Sequence, residues 1–365
     1  MKSILRRVGV VAAALTISST LAACGSDDES GEGGSDVVFA IGAPVLIDST
    51  APYSTVPPAM GYWDSEESGV NVEAQPTEGA TAAMQLLLAG TADLSNGGTS
   101  SMYQAAVDNP DVRIVSLQAA NMWKIDVLEG SEVTEISQLK GAKIGVQSLS
   151  SASYLFGRAA VAASGLDPDA DVEWLAIGVG SQAAQALDDG TVEAYATYTG
   201  PNAVVSSILD KKLIDLPTPL DDVPGLSGIA TTKDFLENNR DTVVNFLAGY
   251  YEGLVFGAEN PGAALQIHWE EYPEQKPDGD VEEAVAATVP TVEERFAYSA
   301  EPGPNGIIGE ISMEDAQEAI DFMYEYGIIE EPLKAEDMVD LSPSVDAAEN
   351  YDVDAVKQEA ADWKP

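Results

Sequence analysis

The chain has 365 residues, and its 17 basic and 61 acidic side chains give a formal net charge of -44 at pH 7. A surface this negative repels phosphate backbones, so the composition excludes nucleic acid as a partner. The acidity fits either a salt-rich environment, where the Debye length falls to about 3 Å at 1 M, or simply an acidic exported protein. The single cysteine excludes an internal disulfide and a cysteine metal cluster, and we expect no metal and no cofactor.

The amino-terminal segment predicts export. A basic stretch over residues 1–7 precedes an uncharged run over 8–22, which is rich in small residues and shorter than the about 20 apolar residues of a membrane span. We therefore expect a signal peptide over residues 1–23, and its paired arginines also permit twin-arginine export. The run Leu21-Ala22-Ala23-Cys24 resembles the bacterial lipobox. This resemblance implies that the Cys24 sulfur carries lipid; alternatively, Cys24 is an incidental cysteine.

A tether follows the cysteine. Residues 25–35 consist only of Gly, Ser, Asp and Glu, a composition that buries too little apolar surface to order itself. We predict a disordered tether over 24–36. Two or three acyl chains on Cys24 would hold the protein at the cell membrane on its outer side, because each buried methylene contributes about 0.8 kcal/mol.

Strands and helices alternate after the tether. Apolar periodicity predicts strands over 37–41, 70–74, 93–95 and 112–117, and helices over 56–63, 80–89 and 100–107. This alternation is typical of an α/β fold with a mostly parallel sheet.

The alternation then restarts as a second unit. Helices are predicted over 135–139, 151–164 and 181–187, and strands over 142–146, 172–176 and 192–195, before a linker-like segment over 213–224. A strand over 229–231 is expected to return to the first sheet, and the chain after residue 233 is mostly helical.

The restart predicts two lobes. We expect a first lobe over 37–125 and 225–345, a second lobe over 126–224, and a carboxyl-terminal tail over 346–365. The chain crossings between the lobes would form a hinge. Ligands of open α/β sheets lie beyond the carboxyl ends of the strands, so two such sheets facing each other form a ligand cleft that can close.

Four short motifs occur in order along this pattern. They are Ala51-Pro52-Tyr53 with Gly61-Tyr62-Trp63 and Gly69-Val70-Asn71-Val72, then Ala89-Gly90-Thr91-Ala92-Asp93, then residues 139–146, LKGAKIGV, and then residues 186–194, ALDDGTVEA. With them the chain resembles, over roughly 37–326, the nitrate/sulfonate/taurine-type substrate-binding proteins of ABC importers, a group that includes binders of thiamine-pyrimidine precursors. The resemblance implies a two-lobed periplasmic-binding-protein-like fold of type II. It also implies a monomer that delivers a small-molecule solute to the membrane permease subunits of an importer.

Candidate ligand contacts are polar and aromatic residues, most of them at strand-to-helix junctions. Hydroxyls and backbone N–H groups at a helix start hold anionic or hydrogen-bonding ligands, although serine is also an ordinary helix cap. Aromatic faces suit a flat or apolar ligand, although they also suit a lobe core. The candidates are Tyr53, Thr99, Ser100, Trp123, Ser148, Ser150, Ser151, Tyr154 and Tyr198.

The distribution of cations suggests the charge of the ligand. After the signal peptide the arginines are Arg113, Arg158, Arg240 and Arg295, and only Arg158 follows a junction. An anionic ligand would have to rely on Arg158, on Lys124 or on N–H groups. The sequence therefore favours a neutral or weakly charged organic solute.

Two other classes of function remain open from the sequence. An enzyme with a Ser-His-Asp triad or a histidine metal site would have to use His268, the only histidine, and no nucleophile elbow accompanies it. A lipoprotein that binds a protein partner through its acidic face would need no small-molecule cleft. We expect no catalytic activity.

Overall fold

The computed structural model describes residues 34–64, 66 and 68–365. The predicted signal peptide, Cys24 and most of the predicted tether lie outside the described residues. Within the described part of the chain, no helix is both long enough and apolar enough to cross a membrane.

Two five-stranded sheets organise the chain. Their strands in chain order are β1 (Ser35–Ile41), β2 (Val70–Pro76), β3 (Leu94–Gly98), β4 (Val112–Leu117), β5 (Trp123–Leu128), β6 (Lys143–Val146), β7 (Glu173–Ala176), β8 (Ala194–Tyr198), β9 (Leu213–Asp215) and β10 (Ser227–Thr232). The first sheet has the order β2-β1-β3-β10-β4 and the second has the order β7-β6-β8-β5-β9. The sheets define two lobes, as the sequence predicted.

Helices cover the sheets. They are α1 (Ala51–Ser54), α2 (Val56–Ala59), α3 (Ala80–Leu88), α4 (Thr99–Asp108), α5 (Ala152–Ala163), α6 (Ser181–Asp188), α7 (Pro201–Leu209), α8 (Lys233–Asn238), α9 (Arg240–Glu259), α10 (Pro261–Glu271), α11 (Val281–Ser299), α12 (Met313–Glu325), α13 (Ala335–Met338), α14 (Ser342–Ala347) and α15 (Val353–Asp362). Short 3-10 turns lie over Asp48–Thr50, Ile136–Leu139 and Pro273–Gln275.

Each sheet is mixed. In the first, β1 is parallel to β2 and β3, whereas β10 is antiparallel to β3 and β4, so the returning strand predicted near 229–231 is present. In the second, β6 is parallel to β7 and β8, and β5 is antiparallel to β8 and β9. The sequence prediction missed β5 and took β9 for part of a linker. Because β5 begins at Trp123, the crossing into the second sheet precedes the predicted boundary at 125.

The long helix α9 forms the centre of the first lobe. It is buried on most of its faces, and α1, α10, α14 and α15 pack against it. Phe246 of α9 lies 4.9 Å from the Phe39 ring of β1 and stacks on Trp63 at 5.2 Å. A Cβ on Gly253 would lie 2.1 Å from the Pro52 carbonyl oxygen, so glycine lets α1 approach closely. This contact holds α1 against the core.

The predicted carboxyl-terminal tail is instead part of the first lobe. Within 346–365, α15 buries Val356 and Ala360, which lie four residues apart and share one helix face. Asn260 donates a hydrogen bond to the Ala360 carbonyl oxygen at 2.8 Å. A tail prediction was wrong here because a short helix with only two buried residues gives a weak apolar pattern.

Candidate functional site

A cavity lies between the two lobes, where the strand ends of the two sheets face each other. Its volume is about 60 Å³, which holds roughly four to six water molecules at about 10–15 Å³ each. Both sheets and the first-lobe helices contribute to its lining, which consists of Ile41, Gly42, Ala43, Tyr53, Ala80, Asn96, Gly97, Gly98, Gln118, Met122, Trp123, Gln147, Ser151, Ala152, Ser153, Tyr198, Ser227, Gly228, Tyr250 and Arg295. The cavity is therefore narrow and is shared by the two lobes.

Four of the predicted ligand contacts line this cavity: Tyr53, Trp123, Ser151 and Tyr198. The Trp123 indole donates to the Leu226 carbonyl oxygen at 2.9 Å, and its ring meets the Tyr198 ring edge-on at 5.5 Å. Tyr53 lies 5.8 Å from the Tyr250 ring. These contacts fix the aromatic faces before any ligand arrives.

Three other predicted contacts lie outside the cavity. The Thr99 hydroxyl is buried and donates to the Gly225 carbonyl oxygen at 2.8 Å, so it connects α4 to the segment just before β10. Ser100 is buried in the first turn of α4. Tyr154 packs edge-on against Trp174 and carries the Arg158 guanidinium over its ring. None of the three touches the cavity.

Ser148 and Ser150 form a contact between the lobes. Both hydroxyls donate to the Glu78 carbonyl oxygen of the first lobe, at 3.3 and 3.5 Å. Gly79 has φ +153°, and a Cβ there would lie 2.8 Å from the Ser150 carbonyl oxygen. The backbones of the two lobes therefore touch at this rim of the cleft, and these two serines close it rather than line it.

Arg295 is a charged cavity residue that the sequence did not select. It lies on α11, is only 5% exposed, and lines the cavity beside the Tyr198 ring, whose centroid is 5.9 Å from the guanidinium carbon. One terminal nitrogen donates to the Ser299 hydroxyl at 2.6 Å, whereas Nε is buried without a hydrogen-bond partner. Within the described residues, Arg295 forms no ion pair with a carboxylate.

The two cations that the sequence proposed are paired elsewhere. Arg158 makes a two-pronged contact with Asp169 at 2.5 and 2.9 Å, and Lys124 pairs with Asp215 at 2.8 Å. Neither lines the cavity. No local pattern marked Arg295, because α11 begins more than 80 residues after β8 and reaches the cleft only through the packing of the first lobe.

Neutral polar groups complete the cavity wall. Asn96 in the middle of β3 accepts a hydrogen bond from the Gly42 N–H at 3.4 Å. Gln118 and Gln147 add side-chain amides, and the Ser227 hydroxyl is buried without a partner. Buried polar groups without partners are rare in proteins, so Ser227 and Arg295 are sites where a ligand can supply the missing hydrogen bonds.

The only histidine lies away from the cavity. His268 is fully buried on α10, 3.2 Å from the Thr55 hydroxyl and 3.4 Å from the side-chain amide oxygen Oε1 of Gln275. Burial lowers the pKa of His268 to about 4, so its ring is neutral at pH 7. In the part of the chain that the structure describes, no group of three or more His, Cys, Asp or Glu residues is placed to hold a metal ion.

Two α/β lobes that enclose a cavity define the fold of a two-lobed periplasmic binding protein, which confirms the predicted fold class. Residues 56–264 match the family model described as NMT1/THI5 like, and the chain belongs to this family. No curated protein matches the chain.

Solved structures with low sequence identity share the fold. A protein from Bordetella bronchiseptica RB50 is 21% identical, with a TM-score of 0.62 over 87% of this chain and 98% of that one. The alkanesulfonate-binding protein SsuA from Xanthomonas axonopodis pv. citri is 14% identical, with a TM-score of 0.60 over 83% and 97%. The periplasmic nitrate-binding protein NrtA from Synechocystis PCC 6803 is 13% identical, with a TM-score of 0.61 over 89% and 91%. The resemblance drawn from the four motifs is thus confirmed.

Proposed function

We propose that the chain is an extracytoplasmic solute-binding protein that captures a small organic solute between its lobes and hands it to the permease subunits of an ABC importer. The observation that carries this proposal is the interlobe cavity, with aromatic side chains in its lining and two buried polar groups that lack partners. Binding pockets typically combine apolar walls with a few placed polar groups in this way. The names of the nitrate-binding and alkanesulfonate-binding structures support the same role.

The geometry favours binding over catalysis. His268, the only candidate general base of its type, is held in the first-lobe core by Thr55 and Gln275 and does not reach the cavity. The serines at the cleft rim are likewise occupied, since the Ser148 and Ser150 hydroxyls donate to Glu78. A nucleophile needs a base within hydrogen-bond reach. We therefore assign the cavity to capture and release of an unchanged solute.

A solute screen tests the proposal on the purified full-length chain at low and high salt. A ligand at 100 times its dissociation constant adds about 2.7 kcal/mol to the free energy of unfolding. We expect one chemical class among sulfonates, nitrate, pyrimidines, aromatic acids and amino acids to raise the melting temperature by several degrees. If salt stabilises the protein and no solute does, the result would favour the alternative function, a lipoprotein that binds a protein partner.

We further propose that lipid on Cys24 anchors the protein to the outer side of the cell membrane. The support is the lipobox-like Leu21-Ala22-Ala23-Cys24 behind an uncharged run. We expect the expressed protein to sediment with membranes and to leave them in detergent. The Cys24→Ser variant should appear in the soluble exported fraction, and Ser26→Ala should behave as the parent. A Cys24→Ser protein that stays with the membranes would rule out this anchor.

A further inference from the structure

We propose that the solute of this cavity is a small aromatic carboxylate, and that Arg295 is the residue that selects the carboxylate. The inference rests on the proposed solute-binding function and names its substrate class. It departs from the neutral solute that the sequence favoured, because the cavity contains a cation that the sequence gave no reason to place there.

The first step concerns charge. Arginine stays protonated in proteins, and a buried charge without a partner is strongly destabilising. Arg295 is 5% exposed and, within the described residues, forms no ion pair. Its neighbour along α11, Glu294, is exposed and points elsewhere on the helix. A negative charge on the solute would supply a partner for Arg295, so the site favours an anion.

The second step concerns shape. Ser299 occupies one terminal nitrogen of Arg295 at 2.6 Å, and its hydroxyl donates in turn to the Arg295 carbonyl oxygen at 2.8 Å, which fixes the guanidinium on α11. Nε has no partner, and no other hydrogen bond of this guanidinium is formed within the described residues. Nε and the second terminal nitrogen therefore remain as a side-on pair of parallel donors. A planar carboxylate matches such a pair with its two oxygens.

The third step concerns the rest of the solute. The aromatic part of the lining consists of the rings of Tyr53, Trp123, Tyr198 and Tyr250, around a space of about 60 Å³. A flat ring packs on such aromatic faces with little loss of entropy. The amides of Asn96, Gln118 and Gln147 are placed to bind polar substituents on that ring.

Calorimetric titration of the full-length chain tests the inference with a matched series. The probes are benzoate and its hydroxy- and amino-substituted forms, benzamide as the neutral isostere, benzenesulfonate and nitrate as other anions, and cyclohexanecarboxylate as the non-planar acid. We expect one of the benzoates to bind at least about tenfold more tightly than its neutral amide counterpart, since only the anion accepts a charge-assisted hydrogen bond from Arg295.

Variants separate a binding role of Arg295 from a structural one. Arg295→Gln should raise the dissociation constant of the preferred benzoate roughly 10- to 150-fold, the range of one charge-assisted hydrogen bond. Its melting temperature without solute should stay equal or rise, because an unpaired buried charge is removed. Arg295→Lys keeps the charge without the paired donors, so its dissociation constant should lie between those of the parent and Arg295→Gln. The control Arg240→Gln removes an exposed arginine paired with Asp346 and should bind as the parent.

The outcomes are distinguishable. Benzamide binding as tightly as benzoate, or Arg295→Gln binding with parental affinity, would overturn the carboxylate inference. If another solute class binds and every aromatic carboxylate fails, the inference is wrong and the solute-binding function stands. If no solute of any class binds, both fail together.

Discussion

Replacement of Gly98 by alanine is expected to weaken solute binding by at least about 100-fold while both lobes stay folded. Gly98 ends β3 with φ -69°, so its backbone accepts alanine. A Cβ there would lie 2.3 Å from the Ala152 Cβ of the second lobe and 2.9 Å from the Trp123 ring. The added methyl group would wedge the lobes apart, and apparent affinity falls with the fraction of molecules that can close.

A compensating change gives the matched control. The double variant Gly98→Ala with Ala152→Gly removes the closest clash and should recover part of the lost affinity, whereas Ala152→Gly alone should bind nearly as the parent. Titration with the solute found by screening measures affinity, and small-angle scattering should report a larger radius for Gly98→Ala alone. Parental affinity in Gly98→Ala would mean that solute binds without closure of this rim.

A second large effect is expected on the pH dependence of stability when Asp126 is replaced. Asp126 is a buried carboxylate on β5 that is 1% exposed. Its nearest hydrogen-bond donor is the Asn202 side chain at 3.4 Å, and its neighbour across the β5-β9 pair is Asp215, which Lys124 already holds. Burial, and then the Asp215 charge, raise the pKa of Asp126 from 3.8 to about 7. Glu294 of α11 adds to this rise, and Lys124 opposes it.

The direction of the pH effect follows from proton binding. Between pH 4 and 7 the folded state holds the Asp126 proton and the unfolded state has lost it, so the free energy of unfolding falls as pH rises through this window. Asp126→Asn cannot lose a proton. Its stability relative to the parent should therefore rise between pH 4 and 8, by at most about 4 kcal/mol, and then level off.

Urea unfolding of the parent and of Asp126→Asn at several pH values measures the difference between their free energies of unfolding. The titratable groups that both proteins share contribute equally to the two values and cancel in this difference. The exposed Asp222→Asn serves as the control and should show no such rise. A difference between Asp126→Asn and the parent that stays constant from pH 4 to 8 would contradict a raised pKa at Asp126.

The fold was largely predictable from the sequence because its signals are local. Apolar runs such as the one in β1 and the periodic helix α3 are found within a few residues of their predicted bounds. The strand β5 was missed although Trp123, Ile125 and Val127 alternate with polar residues, and the burial of Asp126 within it could not be inferred from its residue type. The place of α15 in the first lobe was not predicted, because its packing on α9 is a long-range contact that no local pattern records.

The site was predictable only in part. Tyr53, Trp123, Ser151 and Tyr198 lie where strand-to-helix junctions and aromatic content pointed. Ser148 and Ser150 share the junction with Ser151 but turn towards Glu78, a difference that backbone direction decides and residue type does not. Arg295 enters from a helix distant in sequence, so its place in the cavity follows from the tertiary packing of α11 alone.

A crystal structure of the protein with the solute that the screen identifies is the most direct test of whether the interlobe cavity is the binding site. The account predicts solute density in the interlobe cavity beside the Trp123 and Tyr198 rings, within hydrogen-bond distance of the Arg295 Nε. Density at any other surface, with the interlobe cavity holding only water, would contradict it.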